Sequence, residues 1–228
     1  MLFSAKRISY LCDYKLKMSM KSIKALQWRY ATKKFDADSI LPEEKVDILK
    51  RAFNLTATSY GLQPLKLVVV QNKELQARLM ELSNNQKQIG TASHVLVICI
   101  EKEVGKDFIE NYFRYVRRIR NTPEEVLAPF KNFLIKDFKG KPLQEIQEWA
   151  TNQAYLVMGT LLTVCAVEEI DSCPMEGFES EGYGELLELD KHNLKSVLVL
   201  PVGYRATDDQ FAGFKKVRRP LEETVIEF

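Results

Sequence analysis

Four basic residues near the two ends of the chain are spaced so that they could bind a phosphate group. Arg29 and Lys33 are four residues apart, so on a helical turn they share one face. Lys216 and Arg218 alternate, so in an extended chain they point the same way. Arginine offers phosphate a planar fork of donors, and lysine offers a compact charge. A basic pair alone is more often a solvated edge.

The turn Cys173-Pro174-Met175-Glu176-Gly177-Phe178 follows a long apolar run and is a second candidate site. Pro174 fixes its backbone, and Gly177 allows a ligand to approach the main chain closely. Such a turn suits a flat ligand ring. The alternative is an ordinary helix-to-strand turn with a solvated Glu176, which this stretch by itself favours.

Composition excludes several classes of protein. The 33 basic and 31 acidic residues nearly balance, so the net charge gives no long-range electrostatic attraction to nucleic acid or a membrane surface. The four cysteines form no CxxC pair and there are only two histidines, which argues against a zinc site and a disulfide framework. We therefore expect a reducing, cytoplasmic compartment, no metal, no nucleic-acid partner and no membrane partner.

Hydrophobic periodicity predicts the elements that must position these residues. Strands are predicted over 65–70, 95–100 and 195–204, and helices over 22–28, 42–56, 73–83, 106–120, 123–138, 142–170 and 183–189. The strand at 65–70 is predicted to be buried on both faces, and residues 84–88 to form a polar loop. The pattern indicates an α/β or α+β class. We expect residues 1–20 to be a poorly ordered extension and 21–228 a single domain with a C-terminal arm.

Two helical regions leave alternatives open. The second half of the helix at 142–170 is apolar all round, which predicts burial on every side, within one subunit or at the centre of an obligate dimer. The helices between 106 and 138 carry many aromatic side chains. These side chains either pack together or line a pocket for an aromatic ligand: Phe108, Tyr112, Phe113, Tyr115, Phe130, Phe133 and Phe138.

Five short motifs, in this order and at compatible distances, resemble the nitroreductase family. They are Arg-x-x-x-Lys-x-Phe near the start, Ser-x-Gly-x-Gln-Pro before a strand, an Asn-rich loop before Ser-His, Pro-x-Glu-Gly-Phe after the long helix, and Lys-x-Arg-x-Pro in the tail. The similarity covers roughly residues 22–223 and is closest to the branch of oxygen-insensitive NAD(P)H nitroreductases and dihydropteridine reductases.

This resemblance implies an α+β, three-layer fold with a central mixed sheet flanked by helices, in an intertwined homodimer with FMN at the interface. It implies hydride transfer from NADH or NADPH to nitroaromatics, quinones or a pterin by a ping-pong mechanism. The implied phosphate ligands are Arg29, Lys216 and Arg218. Tyr30 and Ala31 would lie near the ribityl chain, and Lys33 at the pyrimidine edge of the ring.

The remaining implied contacts surround the flavin ring. Thr58, Ser59 and Gly61 would reach it from the other subunit, and Asn85 would contact it. One face would rest on Pro174, Met175, Glu176 and Gly177, with the Glu176 backbone N–H near N5 of the ring.

The chain departs from the family pattern at three positions. Gln88 stands where many relatives have lysine, Leu65 where many have tryptophan, and Gly61 where many have asparagine. We expect Gln88 to act as a neutral donor at the flavin edge, with Lys33 as the main charge. The missing lysine leaves open an alternative function, a flavin-binding or storage protein with little turnover. The retained basic residues argue against a structural dimer that has lost the flavin.

Overall fold

A computed structural model describes residues 21–228, so the extension predicted over residues 1–20 lies outside the described residues. Short 3-10 turns follow several of its elements, at Ser59–Gly61, Leu189–His192, Gln210–Gly213 and Leu221–Glu223. The helices are α1 (21–28), α2 (Glu43–Leu55), α3 (Lys73–Glu81), α4 (Lys87–Thr91), α5 (Lys106–Arg120), α6 (Glu124–Lys139), α7 (Leu143–Val167) and α8 (Ser180–Leu186). The strands are β1 (Leu65–Val70), β2 (His94–Glu101), β3 (Asp171–Ser172) and β4 (Leu194–Gly203).

The four strands form one sheet in the order β1-β2-β4-β3. All three neighbouring pairs are antiparallel. The α+β class is therefore confirmed. The sheet differs from the mixed one expected, because parallel pairing among residues 21–228 is limited to one isolated bridge between Ala31 and Ser172.

Helices cover both faces of the sheet and give the expected three layers. Side chains along β2 alternate between the faces, as a pleated strand requires. Leu96, Ile98 and Ile100 pack in one cluster with α2 and α7. Val95 and Val97 pack in the other, with α3, α4 and α8. A third cluster joins α5, α6 and the first half of α7.

Strand β1 is less buried than its apolar sequence predicts. Only Leu65 and Val70 are buried, and Lys66 is exposed. The reason is its place at the edge of the sheet, with β2 as its one strand neighbour in the described chain. A continuous apolar run does not distinguish an edge strand from a central one.

The long helix α7 has a buried side and an exposed side, so the prediction of burial all round is wrong for one subunit. Its buried side packs on the sheet. On the other side Tyr155, Leu156 and Val167 are 47%, 54% and 52% exposed, and Gly159 is also exposed. Within residues 21–228, α7 alone is long and apolar enough to span a membrane, a test that core helices also pass.

The polar segment at 84–88 is only partly a loop. Asn84 and Asn85 form a turn in which both residues have positive φ, and α4 begins at Lys87. This helix of five residues is too short to show a hydrophobic period, but Ile89 anchors it in the core. Gln88 is consequently buried and Lys87 is exposed.

Candidate functional site

Three cations predicted to bind phosphate meet where α1 ends. The ammonium of Lys216 donates a hydrogen bond to the backbone carbonyl of Arg29. Burial, and then the charge of Arg218, lower the pKa of Arg29. Burial also lowers the pKa of Lys216, with both arginines adding to the effect. None of the three pairs with a carboxylate within residues 21–228, so the cluster has uncompensated positive charge.

One atom in this cluster is buried without a partner. Arg29 Nε has no hydrogen-bond acceptor in the described part of the chain. A buried donor without an acceptor costs free energy, and one on a charged group costs more. The basic cluster therefore has the chemistry of an anion site, and the residues present fit a phosphate group.

The segment after Arg29 is held in place by its neighbours. Ala31 bridges to Ser172, and the N–H of Thr32 donates to the Ser172 carbonyl at 3.2 Å. The hydroxyl of Tyr30 donates to Asp209 Oδ2 at 2.9 Å, and burial together with this bond raises the pKa of Tyr30 to about 12. Because the hydroxyl is engaged, Tyr30 offers a ligand its ring and backbone.

A partly buried ion pair supports the same segment. Arg205 Nε donates to Asp171 Oδ1 at 2.8 Å, and the Arg205 backbone N–H donates to the other carboxylate oxygen at 2.9 Å. The guanidinium lies 4.3 Å from the ring centre of Trp28 and 4.8 Å from that of Tyr30. Planar guanidinium groups stack on aromatic rings in this way. Arg205 therefore positions the residues on either side of Arg29.

Lys33 and Gln88 converge on the sulfur of Cys173. Lys33 Nζ lies 3.7 Å from Cys173 Sγ, and Gln88 Nε2 lies 4.0 Å from it. Gln88 also donates to Gln86 Oε1 at 2.9 Å. The prediction that Gln88 and Lys33 share one edge of a site stays a prediction, but the structure places both beside one buried atom.

The Pro174–Gly177 turn lies next to this group. Met175 is buried and exchanges two backbone hydrogen bonds with Val199, which fixes the turn on the sheet. Glu176 and Gly177 are exposed, and the Glu176 N–H donates to no other residue in 21–228. Gln86 Nε2 donates to the Gly177 carbonyl at 3.1 Å. The turn thus presents a free backbone donor close to α4.

Asn85 and Glu176 connect this turn to further elements. The Asn85 N–H donates to Met80 O at 3.1 Å, which leaves its exposed side chain available. Interaction with the Glu176 carboxylate raises the pKa of Tyr155, which lies on the exposed side of α7. The turn therefore lies near the apolar surface of that helix.

The loop that carries Thr58, Ser59 and Gly61 is held by Gln153 of α7. The Ser59 N–H donates to Gln153 Oε1 at 2.8 Å. Gly61 has φ +71°, and a Cβ there would lie 2.6 Å from the hydroxyl oxygen of Tyr112. Glycine meets both conditions without strain.

The Ser59 loop and the segment after Arg29 lie far apart in a single chain. The Ser59 loop attaches to α7 at Gln153, whereas the segment after Arg29 attaches to β3, just beyond Val167. At 1.5 Å per residue, Gln153 and Val167 are separated by about 20 Å along the helix. The structure therefore does not bring Thr58, Ser59 and Gly61 together with Arg29 within one subunit.

Some aromatic side chains of α5 and α6 pack in the core, and others line a cavity. Phe113 and Phe138 are buried and pack together with α7. Phe108, Tyr112 and Tyr115 line a cavity of about 420 Å³ that Thr58 also borders. Phe130 and Phe133 are 45% and 56% exposed and stack on each other.

Several residues in this region were not predicted. Asp171, Asp209, Arg205 and Gln153 all act through contacts with residues at least 34 positions away. No local spacing marks such contacts. The one available signal was the pair Asp208-Asp209 just before the basic tail, which offered a carboxylate near predicted cations.

Comparisons with known proteins show the family and the fold of this chain. The model of the nitroreductase family matches residues 26–204. A Staphylococcus epidermidis protein with the provisional name NAD(P)H nitroreductase is 31% identical over 216 residues, which cover 91% of this chain and 97% of that protein. The structure of ydfN from Bacillus subtilis, also provisionally named a nitroreductase, covers 92% of this chain and all of its own, with a TM-score of 0.82 and 18% identity. A similarly named protein from Exiguobacterium sibiricum, solved in complex with FMN, gives a TM-score of 0.77 at 24% identity, covering 92% of this chain and 96% of its own.

Proposed function

Because the chain belongs to the nitroreductase family, we propose that it is an FMN-dependent oxidoreductase. It takes hydride from NADH or NADPH and passes it to a nitroaromatic, quinone or pterin acceptor by a ping-pong mechanism. When bound, FMN supplies the hydride chemistry, and the protein supplies binding, orientation and electrostatics.

The cation cluster at the end of α1 is the observation that carries this proposal. Arg29, Lys216 and Arg218 lie together without a carboxylate in the described chain, and Arg29 Nε is buried without an acceptor. One phosphate group would satisfy the buried donor and offset the repulsion among the cations. No glycine-rich helix start for a pyrophosphate is present in the sequence, which favours FMN over FAD.

The residues around Cys173 would orient the flavin ring. Lys33 would place its positive charge at the edge that becomes negative on reduction, and Gln88 would donate a hydrogen bond there. The Glu176 N–H has no other acceptor in residues 21–228 and would donate to the ring. Asn85 and the Pro174–Gly177 turn would contact the ring, which leaves its other face for the nicotinamide and then the acceptor.

The site is complete only in the proposed homodimer. Gly159 lies on the exposed side of α7, where an added Cβ would meet nothing within 4 Å. We place the two-fold axis there, with the α7 helices antiparallel. Gln153 and Cys165 are then equally far from the axis, about 9 Å along each helix. The Ser59 loop of one subunit reaches the end of α7, and thus the Arg29 segment, of the other.

The C-terminal arm supports the same assembly. Every residue from 210 to 228 is exposed in a single chain. Phe214, Val217, Leu221 and Ile226 are 69–85% exposed, an amount of apolar surface that a partner subunit would cover. The arm also carries Lys216 and Arg218, so its position decides whether the phosphate ligands are in place.

Three measurements on the purified protein test this function. We expect a yellow protein that releases FMN on denaturation, identified by mass spectrometry. We expect the flavin to bleach when NADH or NADPH is added under argon, and to recover its colour when an acceptor is added. A protein that binds no flavin after reconstitution would contradict the proposal, and release of FAD would contradict the choice of FMN.

The second candidate function, a flavin-binding or storage protein, rests on Gln88. This buried neutral residue replaces the lysine of many relatives, and the exposed Lys87 does not take its place. The two functions differ in turnover. A yellow protein that does not bleach with either nicotinamide cofactor would favour storage, whereas rapid bleaching and reoxidation by a quinone would favour the oxidoreductase.

A further inference from the structure

We propose that Asp209 is a positioning residue that assembles the phosphate site before the flavin binds. This inference rests on the proposed function, in which Arg29, Lys216 and Arg218 bind the phosphate of FMN. Asp209 joins the two distant segments that carry these cations.

The carboxylate of Asp209 is 6% exposed and accepts four hydrogen bonds. Its Oδ2 atom accepts from the Tyr30 hydroxyl at 2.9 Å, the Lys33 N–H at 3.0 Å and the Lys34 N–H at 3.3 Å. Its Oδ1 atom accepts from the Phe211 N–H at 3.1 Å. Three of the donors belong to the segment after Arg29, and the fourth belongs to the first turn of the arm. The carboxylate is therefore a direct link between the two.

Asp209 is ionised in this setting. Burial alone would raise its pKa, but the hydrogen bonds from Phe211, Lys33, Tyr30 and Lys34 outweigh burial and lower it. Both oxygens are occupied by protein donors, so the carboxylate is not aimed at a ligand. Charge-assisted hydrogen bonds of this kind are stronger than neutral ones, which suits a role in fixing geometry.

Asp209 stands where the fixed fold ends and the arm begins. Just before it, the Ala206 N–H donates to the Lys34 carbonyl at 3.0 Å, and the Asp36 N–H donates to the Tyr204 carbonyl at 2.8 Å. From residue 210 onward every residue is exposed. The last buried contact before Lys216 and Arg218 is thus the one that Asp209 makes. Without this contact, the arm would run in a different direction relative to α1.

The test compares the affinities of the apoprotein for FMN and riboflavin, which differ only in the phosphate. A role limited to general stability would weaken both ligands alike, whereas a role in positioning the phosphate site weakens FMN selectively. We expect Asp209→Ala to lower the ratio of FMN affinity to riboflavin affinity about tenfold or more. The matched control is Asp208→Asn, which removes the same charge from an exposed neighbour paired with Lys34. It should leave the ratio unchanged.

Asp209→Asn covers the case in which the alanine variant fails to fold. An asparagine can still accept from Lys33 and Lys34 but turns its NH₂ toward the Phe211 N–H, so the ratio should fall by less and in the same direction. Folded variants at Asp209 that keep the wild-type ratio would overturn the inference while the proposed function stands. A wild-type protein that binds FMN no better than riboflavin would instead overturn the phosphate site itself, and the inference with it.

Discussion

Lys33 and Cys173 meet at a distance of 3.7 Å between Nζ and Sγ, although 140 positions separate them in the sequence. Burial raises the pKa of the Cys173 thiol despite the opposing charge of Lys33. The thiol is therefore neutral near pH 7 and cannot neutralise the ammonium. No thiolate charge therefore stands beside Lys33 and Gln88 at the proposed edge of the flavin.

The first prediction concerns the reduction potential of the bound flavin. Gln88→Lys adds a positive charge where the reduced flavin is negative, so the potential should rise, by about 30 mV for 1.4 kcal/mol of stabilisation. Lys33→Ala should lower it. Lys87→Gln is the control, because Lys87 is exposed on the same helix and its removal should change nothing. An unchanged or lower potential in Gln88→Lys would mean that position 88 does not face the flavin.

The second prediction concerns the phosphate ligands. Arg218→Ala removes a charge-assisted contact, so FMN binding should weaken by about 1.5–3 kcal/mol, as measured by titration of the apoprotein. Arg219→Ala removes the same charge from the adjacent residue and should have little effect. If Arg219→Ala weakens FMN binding more than Arg218→Ala does, the phosphate contact belongs to Arg219.

The third prediction concerns the proposed dimer. In a single chain Gly159→Arg meets open space, so the subunit should fold normally. At a two-fold axis the same substitution brings two charges together, so it should give monomers at low micromolar concentration in sedimentation experiments, with loss of FMN. Gly184→Arg is matched, since Gly184 also lies in a helix with nothing within 4 Å of an added Cβ, and should remain dimeric. A monomer that keeps its flavin would contradict the shared site.

The fourth prediction concerns stability in acid. Burial, with Lys73 and Lys50 nearby, lowers the pKa of His94 from its usual 6.5. The Ser93 hydroxyl accepts from the Leu41 N–H and shares a hydrogen bond of 2.9 Å with His94 Nδ1, which a neutral ring can accept. The folded state therefore binds a proton less readily than the unfolded state. The free energy of unfolding should therefore keep its full value above pH 6.5 and fall as the pH drops below that value.

The matched variants for this prediction are His94→Asn and His192→Asn. Asparagine at 94 keeps a neutral acceptor for Ser93. The free energy of unfolding, measured by urea denaturation, should therefore fall less between pH 8 and pH 5.5 in this variant than in the wild type. His192 is exposed on a 3-10 turn, and its substitution should leave that loss unchanged. Equal losses in wild type and His94→Asn would show that other groups govern the acid response.

Local patterns predicted the helices and strands well where turn-forming residues and the hydrophobic period indicate the same bounds. Strand β1 begins and ends as predicted because Pro64 precedes it and a polar turn follows. The helix α5 also has the predicted bounds, residues 106–120. The short helix α4 was missed because five residues cannot show a period. The exposure of β1 and α7 was missed because hydrophobicity reports what can be buried and does not say what covers it.

The candidate site was predictable in part for a similar reason. The basic residues and the Pro174–Gly177 turn carry their chemistry in their own residue types. Asp209 and Gln153 matter through contacts with distant residues, among them Tyr30 and Ser59, which are 179 and 94 positions away. Nothing in one sequence links such positions before the chain is folded.

The distance along α7 between the Ser59 loop and the Arg29 segment has a genetic consequence. In the proposed dimer each chain contributes one half to each of two sites. Two inactive variants, one with Arg29 substituted and one with Gln153 substituted, should therefore regain activity when their chains are mixed. In each heterodimer one of the two sites is then built wholly from intact halves. The same two substitutions on one chain, mixed with wild type, should damage both sites of every heterodimer.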